Sequence, residues 1–242
     1  MQIFEYNIID STNEEARRYA NGDACVSIPA LFIAEEQTAG RGRMGRSFFS
    51  PASTGLYASL LIEPPHDSER LLSFTALAAV AAMEAIRSHF GINVSIKWVN
   101  DLYLGQKKVA GILAESFVAN GKRLVVLGIG INLSTAFFPD ELTDKAGSLD
   151  TFATVDRAKK RALALDISER LIAYLASDSI APQMQKYREG SCVIGREITF
   201  LDRGNQTRAT ALDVTDTGGL VVRLGSGATE TLTSGEISIF LK

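Results

Sequence analysis

The texture of this chain changes at Gly190, and that change constrains the fold more than any other feature. Before it, helix and strand signals alternate. After it, residues 197–242 are rich in Thr, Val and Gly and show no helical period. Turn signals recur there at Asp202-Arg203-Gly204-Asn205, Thr217-Gly218-Gly219 and Gly225-Ser226-Gly227. The pattern predicts a small β-barrel of about five short strands. With 242 residues the chain has room for one large domain and a small one. The predicted division is an α/β (α+β) domain over 1–190, with a mixed central sheet flanked by helices, and the barrel over 191–242.

Within the first part, Asp10-Ser11-Thr12-Asn13-Glu14-Glu15 reads as a helix start. Ser11 or Thr12 is the cap, and the two glutamates suit the positive end of the helix dipole. That helix runs to about Asn21-Gly22. Residues 27–36 read as a buried strand, and 55–63 as another that stops at Pro64-Pro65. Residues 71–89 form a long apolar helix. Residues 96–104 and 107–116 form a strand pair around the hairpin signal Gly105-Gln106. Residues 123–133 form a strand buried on both faces, 137–149 are irregular, and 156–176 and 181–189 are helical.

Several classes of protein are disfavoured at this stage. The N-terminus lacks an apolar signal-peptide region, and no apolar run approaches the ~20 residues of a membrane helix. Cys25 and Cys192 lie far apart and read as buried free thiols. His66 and His89 share no ligand spacing with them, so no metal site made of protein ligands alone is expected. The expected setting is cytoplasmic, with no membrane partner.

The chemistry concentrates in three segments. Gly40-Arg41-Gly42-Arg43-Met44-Gly45-Arg46 packs three arginines and three glycines into a chain of net charge −3. Arginine presents a planar fork of donors, and glycine lets backbone N–H groups approach a ligand closely. A solvated turn and an RNA-binding Arg/Gly segment are the rival readings. The acidic balance of the whole chain disfavours broad nucleic-acid binding and favours a specific anion.

The second segment is 97–111. With Gly105-Gln106 as the turn, Tyr103 faces Lys108 and Leu104 faces Lys107. Alternation then puts Lys97, Asp101, Tyr103, Lys108 and Ala110 on one side, with Asp101 and Lys108 as diagonal neighbours able to pair or to share a polar ligand. Gly111 inside a strand marks close approach of a ligand or another backbone. The third segment, Gly128-Ile129-Gly130-Ile131-Asn132, brings glycines and one amide to a strand end.

Together these segments resemble the biotin–protein ligases. That family carries Ser-Thr-Asn near the start of its catalytic domain, a Gly-Arg-Gly-Arg-x-Gly-Arg loop, Lys-Trp-Pro-Asn-Asp, Lys-x-Ala-Gly-Ile-Leu and a Gly-Ile-Asn strand end. Here they stand in order as Ser11-Thr12-Asn13, Gly40 to Arg46, Lys97 to Asp101, Lys108 to Leu113, and Gly130 to Asn132. The C-terminal Gly235-Glu236-Ile237-Ser238 belongs to the same likeness. Val99 stands where the family has proline, and Met44 where some members have another arginine.

The resemblance implies an SH3-like C-terminal barrel and a two-step ligation. ATP activates biotin to biotinyl-5′-AMP with Mg2+, which enters with the nucleotide near Asp101. Biotin then passes to a lysine of a biotin carboxyl carrier domain, such as that of acetyl-CoA carboxylase. By the same likeness Ser11, Thr12, Asn13, Gln37, Gly40, Arg41, Gly42, Arg43, Lys108 and Gly111 bind biotin. Arg43, Met44, Phe48, Asn100, Lys108, Asn132 and Ala146 bind ATP or the adenylate, with Phe48 where relatives place an aromatic against adenine. Lys108, Arg43 and Asp101 are catalytic. Lys108 bridges the carboxylate and the α-phosphate, and Asp101 orients lysine or magnesium or assists the incoming amine. Arg46 braces the loop. Because Ser11 comes so early, a DNA-binding domain and repressor activity are not expected, and the ligase is a monomer or homodimer. Lipoate or octanoate transfer to a carrier lysine is the alternative, and a nucleic-acid-binding module a more distant one.

Overall fold

A computed structural model describes residues 1–22, 26–64, 71–149, 155–202 and 204–239. Cys25 and His66 lie outside them, as does Arg203 of the first predicted turn. The first sheet has seven strands in the order β1-β2-β3-β7-β6-β5-β4. They are β1 (Gln2–Ile9), β2 (Ala30–Gln37), β3 (Gly55–Ile62), β4 (Ser95–Lys97), β5 (Asp101–Leu104), β6 (Lys107–Ala119) and β7 (Lys122–Asn132). Strands β1 and β2 run parallel and the remaining neighbours antiparallel, so the sheet is mixed as expected.

Helices cover both faces. Helix α2 (Leu71–Phe90) is Ala-rich and free of Gly and Pro, which favours a long uninterrupted helix. Its length and apolar composition would suffice to cross a bilayer. Here it is a core helix, buried over most of its length against the sheet, α4 (Arg157–Leu175) and α5 (Ala181–Gly190). The Asp156 side chain caps α4 by accepting from the Lys159 N–H at 2.7 Å. Between β7 and α4, the stretch read as irregular contains a single turn of helix, α3 (Asp140–Thr143).

Among the described residues, the helix on the opposite face is α1 (Thr12–Ala20). Ala16 and Ala20 seat it on Phe32, Leu61, Leu124 and Val126. Ser11 holds the N-cap position, but its hydroxyl makes no capping bond. Nine residues cover about 13 Å of a face that is considerably wider. The uncovered remainder is where Gly128 and Gly130 of β7 and Gly111 of β6 lie, with Ser59 of β3 on the same face buried under the start of α1, following the same alternation that sends Ile129, Ile112 and Ala58 into the other core.

Two readings of the sheet needed correction. Residues 96–104 are not one strand. The chain reverses at Trp98-Val99-Asn100, so β4 and β5 pair with each other through Lys97 and Asp101; the Trp98–Val99 peptide is cis. The β5–β6 register at Tyr103/Lys108 and Leu104/Lys107 is as expected, but a bulge then shifts it so that Leu102 faces Ala110 and Asp101 faces Gly111. An extra residue in one strand inverts the alternation beyond it. Gly111, not Ala110, therefore shares a face with Lys108, and Ala110 is buried in the helix-side core.

Past Val193 the second sheet begins. It contains β8 (Glu197–Asp202), β9 (Asn205–Val214), β10 (Leu220–Leu224), β11 (Thr229–Leu232) and β12 (Ile237–Ile239). All pairs are antiparallel, in the order β11-β10-β9-β8-β12. The apolar core runs without a gap from α2 and α5 into Val193, Ile198, Val214 and Leu220. Trp98, which is buried, donates its Nε1–H to the Gly218 carbonyl at 2.8 Å and so ties the β4–β5 turn to the β9–β10 turn. Trp98→Phe puts a smaller phenyl ring in place of the buried indole and orphans that carbonyl. The expected cost is about 1–2 kcal/mol, or a Tm lower by roughly 2–8 °C in a thermal melt.

Candidate functional site

Two adjoining hollows occupy the part of the sheet that α1 leaves open. The first is a cleft of about 50 Å³ whose floor is the glycine-bearing strands. The second is a groove of about 630 Å³ between the Arg/Gly loop, the β4–β5 turn, residues 142–146 and residues 235–238. Gly42, Arg43, Phe48, Asn100 and Lys108 line both, so the two spaces meet at those residues.

The cleft is lined by Ser11, Thr12, Asn13, Gln37, Arg41 and Gly111 as well. Its polar end is a chain of hydrogen bonds. Gln37 Nε2 donates to Ser50 Oγ at 2.9 Å, and Gln37 Oε1 accepts from the Thr12 amide at 2.9 Å and the Thr12 hydroxyl at 3.1 Å. Ser59 Oγ lies 2.7 Å from Thr12 Oγ1 and 2.6 Å from Asn13 Oδ1. Asn13 Nδ2 donates to Glu115 Oε2 at 2.8 Å. The neighbours therefore fix the Asn13 amide orientation: nitrogen toward the carboxylate, oxygen toward the hydroxyl. Ser59 and Glu115 were not among the sequence candidates. A lone serine inside the apolar run of β3 was the available signal for the first; nothing local marked the second.

Glycines make the floor. A Cβ on Gly128 would overlap the Asn13 amide, and one on Gly130 would lie 2.5 Å from the Phe48 ring. On Gly111 it would stand 3.2 Å from Lys108 Nζ and 3.3 Å from Phe48. Phe48 thus rests on β6 and β7 where cleft and groove join, edge-on to Tyr57 at 6.4 Å.

The Arg/Gly loop is a tight hairpin, closed by a bridge between Arg41 and Ser47 and by Gly42 N–H to the Arg46 carbonyl at 2.7 Å. Its three arginines take different partners. Arg41 pairs with Glu14 of α1 and with Glu115 at 3.5 Å. Arg46 pairs with Glu236, which braces the loop against the second sheet. Arg43 donates to Asn100 Oδ1 at 3.1 Å, and Asn100 is itself pinned to Ile112 by bonds of 2.9 Å in both directions. Among the described residues no carboxylate pairs with Arg43, so its charge stays available to an anion at the junction.

Across the junction, Lys108 Nζ stands 2.7 Å from Asp101 Oδ1. Lys97 lies over the Tyr103 ring, 5.4 Å from its centre. Burial and the Asp101 charge push the Tyr103 phenol up to about 12, so it is a donor and not a base near neutrality. Among the described residues no three His, Cys, Asp or Glu side chains gather to hold a metal ion.

Three sequence candidates line neither hollow. Met44 stands exposed at the loop tip with φ 56°. Gly40 serves close packing instead: a Cβ there would meet the Phe48 carbonyl at 2.5 Å and Ser50 Oγ at 2.6 Å. Asn132 is buried behind the groove, donating Nδ2–H to the Gly147 carbonyl at 3.0 Å, while its Oδ1 has no partner among the described residues. The remaining candidates line one hollow or both, Asp101 and Ala146 in the groove.

Comparison with known proteins places this geometry in a family. Residues 7–132 match the Biotin/lipoate A/B protein ligase family, and residues 193–239 match the Biotin protein ligase C terminal domain. The bifunctional ligase/repressor BirA of Bacillus subtilis is 38% identical over 161 residues, covering 64% of this chain and 49% of that protein. The chain thus spans about half the length of that relative. The biotin–[acetyl-CoA-carboxylase] ligase of Mycobacterium tuberculosis is 30% identical over 238 residues, covering 94% of this chain and 85% of that protein. The solved structure of the Aquifex aeolicus biotin protein ligase in complex with biotin and ATP superposes with a TM-score of 0.83 at 28% identity, covering 100% of this chain and 99% of that one. This chain belongs to the biotin protein ligase family.

Proposed function

We propose that this protein is an ATP-dependent biotin–protein ligase whose cleft takes biotin and whose groove takes ATP. The observation that carries the reading is the junction, where Arg43 and Lys108 face a point shared by the two hollows. Joining a carboxylate to a phosphate ester brings two anions together, and the barrier falls where preorganised cations sit at the meeting point. In this reading the ureido ring binds against Thr12, Asn13 and Gln37, and the valeryl carboxylate reaches Lys108. A carboxylate oxygen attacks the α-phosphorus, the bond to the bridging oxygen breaks, and pyrophosphate leaves. An acceptor lysine then attacks the acyl carbon and AMP departs. No protein nucleophile is needed in either step.

The groove's carboxylates are Asp101, paired with Lys108, and Glu236, paired with Arg46. That donor set fits magnesium brought in on the triphosphate, with Asp101 beside it, since magnesium is commonly held by one or two carboxylates and substrate phosphates. When bound, the ion neutralises phosphate charge; the chain's own residues hold the carboxylate and the α-phosphate in line. A 50 Å³ cleft is small beside the ~300–1,000 Å³ of ordinary ligand sites. Biotin entry therefore requires the Arg41–Ser47 hairpin and Phe48 to move outward. The acceptor in this reading is a biotin carboxyl carrier domain, and the setting is the cytoplasm. The two sheets support a division of labour at 190/191, with 1–190 holding the substrates and 191–242 closing the groove.

Biotin-dependent ATP–pyrophosphate exchange tests the reading. Exchange is expected with biotin and magnesium, and at least tenfold less with lipoate or octanoate at equal concentration, as missing hydrogen-bond partners leave buried donors unsatisfied. Exchange driven by lipoate alone would reassign the protein to the other branch of the family.

A further inference from the structure

Lys108 is gripped by its own backbone from a segment far along the chain. Its N–H donates to the Lys145 carbonyl at 2.8 Å, and its carbonyl accepts from the Gly147 N–H at 2.9 Å. Residues 145–147 thereby form a short parallel strap against the start of strand β6, bridged at Lys108 and Ala146. The strap hangs at one end from α3, through Lys145 and Ala146 N–H to the Leu142 carbonyl at 2.9 and 2.7 Å. At the other end Asn132 holds it. The Asn132 side chain donates to the Gly147 carbonyl at 3.0 Å, and its own carbonyl accepts from the Leu149 N–H at 3.0 Å. Asn132 is buried and lines neither hollow, although it stands at the end of β7 beside them.

We infer that Asn132 is a positioning residue: it holds the 145–147 strap, and the strap holds the backbone of Lys108 so that its ammonium stays at the junction. The inference rests on the proposed role of Lys108. Without the strap, β6 at Lys108 has β5 on one side only, next to a bulge, and its free carbonyl and N–H face water. Backbone play of an ångström there moves the ammonium off the line between carboxylate and phosphate, and misplacement on that scale costs up to about a hundredfold in rate. The strap's fit depends on a second residue. A Cβ on Gly147 would stand 2.7 Å from the Lys107 Cβ, which is not a flexible chain end. Gly147→Ala therefore lifts the strap while leaving the Asn132 side chain itself in place.

The test combines amide hydrogen exchange with turnover in Asn132→Ala and Gly147→Ala. The Lys108 amide is expected to exchange at least tenfold faster in both, while the Ile112 amide, bonded to the Asn100 carbonyl, stays at the parent rate. The kcat for pyrophosphate exchange is expected to fall about tenfold or more, with a smaller rise in KM for biotin, since Thr12, Asn13 and Gln37 keep their places and only the Lys108 side of the cleft loosens. Unchanged protection of Lys108 in the folded Gly147→Ala variant overturns the inference, as does a loosened Lys108 amide with parent kcat. A parent protein with no biotin-dependent exchange would sink the proposed function instead, and the amide arm would still decide whether the strap holds Lys108.

Discussion

Lys108→Ala is expected to lower biotin-dependent pyrophosphate exchange by about 10²–10³-fold with the fold intact. The lysine is the only cation paired with Asp101 among the described residues, and it faces both hollows. Removing a preorganised charge at the point where transition-state charge develops costs on that order. Stability is affected far less. The two side chains remain 33% and 20% exposed, so water screens the carboxylate left behind and the loss is about 1 kcal/mol or less. A thermal melt within about 4 °C of the parent, together with collapsed exchange, is the expected pair of results. Parent-level exchange would remove Lys108 from the chemistry and with it the strap's purpose.

Gly128→Ala is expected to act on biotin affinity instead. The added methyl overlaps the Asn13 amide. That amide has nowhere to go: Glu115 holds its nitrogen at 2.8 Å, Ser59 lies 2.6 Å from its oxygen, and the residue is buried. Asn13 must leave its place, and the chain from Gln37 through Thr12 and Ser59 loses its end. The expected result is KM for biotin raised about 10–100-fold with kcat nearly kept, and a stability loss of about 1–3 kcal/mol from overpacking. Gly225→Ala is the control. Nothing stands within 4 Å of a Cβ there, in a turn of the second sheet, and both constants should stay at parent values. An unchanged KM in Gly128→Ala would mean that Asn13 is not part of the biotin contact.

Much of this arrangement was legible before any coordinates. Gly105-Gln106 set the pairing of Tyr103 with Lys108 and of Leu104 with Lys107, because a two-residue turn leaves few ways to pair its flanks; Asp101 meets Lys108 as expected, but across a bulge that the expected register did not contain. The change after Gly190 located the second sheet. The Val109 bulge was not legible, since nothing in Lys-Lys-Val-Ala-Gly marks an extra residue, and it exchanged Gly111 for Ala110 at the site. Nor was the reversal at Trp98-Val99-Asn100. Those residues continue the hydrophobic pattern of their neighbours, and only the pairing of Lys97 with Asp101 reveals the turn.

The sequence by itself determined most of the elements and their order, and the small residues that leave a face of the sheet open, but it did not reveal the edge strand β1 or the division of β4 from β5. What it determined follows from side-chain size, branching and backbone freedom, which each residue carries wherever the chain goes. Tertiary structure decided which charges remain free. Arg41, Arg43 and Arg46 are equivalent in the sequence, yet Glu14 and Glu115 hold the first, Glu236, 190 residues away, holds the third, and among the described residues only Asn100 holds the second. A cation's availability depends on its neighbours in space, and folding alone chooses those neighbours.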